Sequence, residues 1–129
     1  MRADGVINPG LAAALARLRH TDTMVVADAG LPVPDGPLLV DVAVVYGLPR
    51  FADVLAAVAG ELVVDAVTAA TEVVDGNPAV WRLLSSMRPR PDLVTHEELK
   101  RRVASSSLVI RTGENTPYAN VILRCGVPF

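Results

Sequence analysis

Leu18-Arg-His-Thr-Asp-Thr-Met-Val-Val-Ala-Asp-Ala-Gly-Leu-Pro-Val-Pro34 packs a helix exit, a buried strand and a polar strand end into one short span. A helical pattern closes near His20, an apolar run crosses Met24 to Ala27, and Asp28 and Gly30 stand where that run stops. Open parallel sheets hold ligands just beyond the carboxyl ends of their strands. Asp28 therefore marks a candidate site, and the rest of the chain must supply its other walls.

Upstream, Asn8-Pro9 is a helix start, a side-chain cap followed by proline in the first turn, and Leu11, Leu15 and Leu18 follow at helical spacing. Downstream, Pro32, Pro34 and Asp35-Gly36-Pro37 make a loop. Residues 38–45 read as a second strand interrupted by Asp41, and 51–59 return to helical spacing before Gly60, a candidate C-terminal helix glycine. Residues 61–68 read as a third strand, and 71–76 fit either helix or loop. Asn77-Pro78 repeats the helix start, with Val80, Trp81 and Leu84 on one face, and the Pro-rich segment 87–91 is a surface connection. A short strand at 92–94 precedes Thr95 and Glu98, a capping box that puts His96 in the first turn of a helix reaching about residue 105. Residues 108–111 form a strand, 112–117 a polar loop and 118–123 the last strand. Strands alternating with helices predict an α/β sandwich, a largely parallel central sheet flanked by helices.

The 129 residues suit one domain, 1–129, whose core needs no metal or disulfide staple. A net charge of −2, with no basic run beyond Lys100-Arg101-Arg102, argues against nucleic acid as a partner. Asp, Pro and Gly break the longest apolar stretches, so no membrane span is expected. A single cysteine, Cys125, excludes a disulfide framework and a cysteine zinc site. With no apolar signal core, these features lead us to expect a reducing cytoplasm.

Few residues can carry chemistry. His20 and His96 are the two histidines, and each falls at a helix end. His20 reads most simply as a cation favoured by a helix C-terminus, with Asp22 and Asp28 near in sequence; at the start of a capped helix the dipole disfavours a positive charge on His96. Asp28 is either a turn aspartate bonded to its own backbone or a sugar or metal ligand. Tyr118 and Asn120 alternate at a strand start, which would aim both side chains one way. No dinucleotide, Walker or nucleophile-elbow motif occurs, and the histidines and scattered carboxylates lack metal-ligand spacing.

Six motifs in register make these residues specific: His20-Thr-Asp-Thr, Asp28-Ala-Gly-Leu-Pro-Val-Pro, Thr95-His96-Glu-Glu, Arg111-Thr-Gly-Glu, Thr116-Pro117-Tyr118-Ala119-Asn120 and the terminal Gly126-Val-Pro-Phe. From about Gly5 to Phe129 the chain resembles the D-ribose pyranase family, relatives of the L-fucose mutarotases. The resemblance implies interconversion of the pyranose and furanose rings of free D-ribose, with no cofactor and no metal. His20 matches the family's proton donor; Asp28, His96, Tyr118, Ala119 and Asn120 match its sugar-binding positions. Rings of five subunits stacked in pairs, a homodecamer with sites near subunit contacts, are implied as well. Two features depart from the family: Arg19 replaces the usual glycine before His20, and the stretch 86–92 is shorter than in some relatives.

The chemistry suits the residues. Opening a hemiacetal takes a proton from the anomeric hydroxyl and gives one to the ring oxygen, and reclosure through another hydroxyl reverses this. Histidine is the commonest group for such transfers, while Asp, Tyr and Asn hold hydroxyls in place. The competing expectations are a mutarotase or pyranase for another sugar, such as L-fucose, and a noncatalytic sugar-binding accessory of ribose uptake; the two histidines favour catalysis.

Overall fold

The computed structural model describes residues 1–129. Its elements in chain order are α1 (Pro9–Arg17), β1 (Thr23–Ala27), β2 (Leu38–Asp41), α2 (Phe51–Ala59), β3 (Val64–Ala70), α3 (Val73–Gly76), α4 (Pro78–Ser85), β4 (Asp92–Val94), α5 (His96–Val103), β5 (Leu108–Arg111) and β6 (Val121–Cys125). The strands form one sheet in the order β2-β5-β1-β6-β3-β4. β6 alone runs against its neighbours, pairing antiparallel with β1 and β3, so the sheet is largely parallel as expected.

β1 is the central strand because both its faces find cover. Met24 and Val26 enter a cluster of 20 buried residues formed with α1, α2, α3 and α4, while Val25 and Ala27 enter a cluster of 8 under α5. The unequal clusters place most of the core on the four-helix side. A strand buried on both faces reads as an unbroken apolar run rather than an alternation, which is why Met24 to Ala27 stood out. The Asn-Pro starts are real caps: Asn8 Oδ1 accepts from Leu11 N at 3.0 Å, and Asn77 Oδ1 from Val80 N at 3.4 Å.

Several expected boundaries move. β2 ends at Asp41 because the chain turns back, with Val44 N and Val45 N both donating to Leu48 O. This turn leaves Val44, Val45 and Tyr46 strongly exposed. It also touches the 112–114 backbone so closely that a Cβ on Gly113 would lie 2.6 Å from Val45 O, which only glycine allows. β3 starts at Val64, and 71–76 resolve into a turn and α3. Gly60 caps α2 with ordinary right-handed φ, so glycine is not demanded there. The capping box is half made: Thr95 Oγ1 accepts from Glu98 N, but the Glu98 carboxylate turns to Arg101 and Arg102. The last strand begins at Val121, and Tyr118 precedes it in a left-handed turn, φ 59. Tyr118 and Asn120 therefore do not alternate on a strand, because Asn120 N closes the turn on Tyr118 O at 2.9 Å.

Candidate active site

Every strand but β6 ends at one edge of the sheet, and β6 starts there. Asp28 follows β1, His96 opens α5 after β4, and Tyr118, Ala119 and Asn120 lead into β6, so this carboxyl edge gathers the five expected sugar-binding residues.

Asp28 is half-buried and held at both carboxylate oxygens. Oδ1 accepts from Gly30 N at 2.9 Å, the turn bond its sequence suggested, and Oδ2 accepts from Asn120 Nδ2 at 2.8 Å. Asn120 also accepts from Asp28 N through Oδ1 at 2.9 Å. The fully buried Asn120 carboxamide thus clasps Asp28 at two points and aims its carboxylate. Ala119 is equally buried, and its methyl belongs to the core, which leaves only its peptide groups to meet a ligand. Asn120→Ala strands a buried N–H and a carboxylate oxygen, and should cost about 1–3 kcal/mol of stability. Urea unfolding combined with ribose titration checks this; the expected result is lower stability with weaker ribose binding, and Asp28→Ala, which leaves the buried Asn120 Nδ2 without its acceptor, should show both losses on a similar scale.

His96 is fixed from its backbone: its N–H donates to Glu72 Oε2 at 2.8 Å. Its ring meets Tyr118 edge to face, centroids 5.2 Å apart at 80°. The buried Nδ1 has no partner within the protein, a polar atom with spare bonding capacity. Tyr118 lies across Gly76, where a Cβ would come within 2.8 Å of ring carbons Cδ2 and Cε2. Beside Asp28, a cleft of about 370 Å³ is lined by Gly30, Tyr46, Glu114, Thr116 and Pro117.

His20 is elsewhere. It precedes β1 and lies at the opposite, amino edge, where Thr21 N donates to Cys125 O. The five residues of β1 separate it from Asp28 by about 16 Å at about 3.3 Å per residue. Its carboxylate neighbour is neither Asp22 nor Asp28 but Asp65, 3.9 Å from Nε2. Asp65 also accepts from Arg124 Nε at 2.6 Å. Asp22 instead accepts from Arg19 N at 2.7 Å and shapes the turn. The Arg19 guanidinium folds back on Ala16 O and Leu18 O, capping the end of α1. Thr21, directly after His20, has φ 72. The two non-glycine residues with positive φ are thus Thr21 and Tyr118, one in each candidate segment; backbone strain of this kind gathers at functional sites. A cavity of about 560 Å³ at this edge is lined by His20, Arg19, Val63, Cys125 and Phe129. Burial first, then Asp22 and Asp65, pushes the Cys125 thiol up, so it is no thiolate nucleophile at neutral pH.

Sequence reasoning gave no role to Glu72, Glu114, Asp65 or Gly76, although Glu114 closes the Arg111-Thr-Gly-Glu motif. Glu114 had a signal, a lone acid in an otherwise neutral loop; Glu72 and Asp65 had none, since strand pairing alone brings them to the histidines.

The model of the RbsD / FucU transport protein family matches residues 1–128. D-ribose pyranase 1 of Rubrobacter xylanophilus is 57% identical, over 100% of both chains. Bacillus subtilis RbsD, solved in complex with D-ribose, superposes with a TM-score of 0.94 at 45% identity, covering 100% of both chains. The fucose mutarotase of Streptococcus pneumoniae, solved with L-fucose, shares the fold at a TM-score of 0.78 and 22% identity, over 95% of each chain.

Proposed function

We infer the function from one premise: this chain belongs to the RbsD / FucU transport protein family. It is a D-ribose pyranase, an isomerase that interconverts the pyranose and furanose forms of free D-ribose. The full-length likeness to a ribose pyranase carries this reading. The whole chain acts as one pyranase domain, in the cytoplasm. Saturation-transfer NMR on free ribose tests it: the protein should speed pyranose–furanose exchange. Exchange on L-fucose alone, or ribose binding without exchange, would overturn it.

In our reading the carboxyl edge holds the sugar. Asp28, fixed by Asn120, accepts from hydroxyls; the His96 ring and Tyr118 phenol bond others and hold the open chain for reclosure. His20 supplies the proton to the ring oxygen and recovers one on closure. The separation of His20 from Asp28 across β1 supports a site completed by a second copy, with the His20 edge of one subunit closing the cleft of the next. Such a head-to-tail contact generates a ring when its rotation closes, consistent with paired pentamers forming a decamer. The exposed Val44, Val45 and Tyr46 beside the cleft are suited to bury against a neighbouring copy.

A further inference from the structure

The segment 112–120 carries three of the five proposed sugar-binding positions and contains no helix or strand. Backbone bonds to Ala27, Ala29, Gly47 and Pro49 hold residues 112–114, but the turn 115–118 makes no backbone bond to another segment, so something else must hold it. A chain of side-chain hydrogen bonds does. Glu114 is 5% exposed. Its Oε2 accepts from Phe51 N at 3.2 Å, supplying the cap that α2 lacks, because Arg50 makes no side-chain cap bond. Its Oε1 accepts from Thr116 Oγ1 at 2.6 Å. Thr116 Oγ1 in turn accepts from Asn77 Nδ2 at 2.8 Å, and the same Nδ2 donates to Pro117 O at 2.8 Å. Asn77 is itself fixed by capping α4 through Val80 N. The bonds share one direction, Asn77 to Thr116 to Glu114, and tie the loop between the first turns of α2 and α4.

The next residue after Pro117 is Tyr118, in the left-handed region and wedged between Gly76 and the His96 ring. A non-glycine residue keeps that conformation only where its surroundings fix it. We propose that Glu114, Thr116 and Asn77 are positioning residues that hold Tyr118 against His96, with the Thr116 hydroxyl as the joint of the relay. Glu114 and Thr116 also line the cleft beside Asp28, so the His96 signal, which loss of a direct sugar contact would not move in the free protein, is the readout that marks positioning. The assignment rests on the pyranase reading.

Thr116→Val keeps the shape but removes the hydroxyl, leaving Glu114 Oε1 without a donor and Asn77 Nδ2 with Pro117 O alone. Thr116→Ser keeps the hydroxyl. Three readouts are needed on the full-length protein: thermal unfolding, ribose affinity with exchange rate, and the NMR shift of the His96 ring proton, which reports the Tyr118 ring current. Thr116→Val should weaken ribose binding by about tenfold, the scale of one buried group left unpaired. It should also move the His96 signal toward its position in Tyr118→Ala. Thr116→Ser should restore both to within about twofold of the parent protein. If Thr116→Val leaves the His96 signal alone, the proposal fails: Thr116 is then structural where only the melting temperature falls, and a direct sugar contact where ribose binding falls as well. If that variant does not fold, Glu114→Gln is read by the same criteria, since its amide would face either Phe51 N–H or a Thr116 oxygen that already accepts from Asn77. Parent protein that bound ribose without exchanging it would instead overturn the pyranase reading and leave the relay to be judged on binding and the His96 signal.

Discussion

His20→Ala should slow ribose pyranose–furanose exchange by roughly a hundredfold or more, the usual scale for losing a general acid–base group, while ribose affinity falls only severalfold. The substitution is structurally mild. The His20 side chain is 54% exposed and its one charged neighbour, Asp65, stands 3.9 Å away, a separation that adds little to stability. Thr21 keeps its bond to Cys125 O, so the turn that presents the position survives. In the proposed reading, hydroxyl recognition rests on Asp28, His96 and Tyr118 at the other edge, which the substitution leaves intact. Exchange measured by saturation transfer and binding measured by calorimetry on the same variant separate the roles. Near-normal exchange would assign proton transfer to another group, and equal losses in both would make His20 a binding residue.

The parts of the fold that could be read from sequence share a physical cause: the signal is local. An Asn side chain caps the helix it precedes, so Asn8-Pro9 and Asn77-Pro78 announced α1 and α4 directly. β1 announced itself because burial on both faces forbids polar residues between Met24 and Ala27. Asp28 fell at the carboxyl end of that strand, where parallel sheets place ligands, and the motifs singled out His96, Tyr118 and Asn120, which the fold brings to the same edge.

What failed to show depends on pairing between distant segments. His20 and Asp28 are close in sequence and looked like partners, yet an extended strand between them carries them to opposite edges. Asp65 reaches His20 only because β3 and β6 lie side by side. Asn120 read as a sugar-binding position, but nothing local showed that its carboxamide also clasps Asp28, a pairing made across 92 residues. The turn at Tyr118 was hidden for another reason. Positive φ is signalled by glycine, and here a tyrosine adopts it under the constraint of its neighbours.

Two inactive variants should therefore restore activity when they assemble together. One is His20→Ala, with an intact carboxyl edge; the other is Asp28→Ala/His96→Ala, with an intact His20. If each site takes His20 from one copy and the sugar-holding edge from the next, some contacts in a mixed assembly pair two intact edges. For random assembly of equal amounts, about one quarter of the sites are whole, since each of the two edges is intact in about half the copies it is drawn from. Exchange activity should rise from near zero to about a quarter of the parent level when the two are refolded or expressed together. It should stay near zero when already assembled samples are combined without subunit exchange. A site confined to one chain gives a different result, because every copy then carries a defect and no arrangement repairs it. Light scattering on the same samples must show an assembly larger than a dimer. Activity fixed at the mean of the two variants, in assemblies shown to be mixed, would place proton transfer and sugar binding within one chain. Proton transfer would then need a group at the carboxyl edge, and His96, with its unpartnered Nδ1 beside Tyr118, would be the residue to test next.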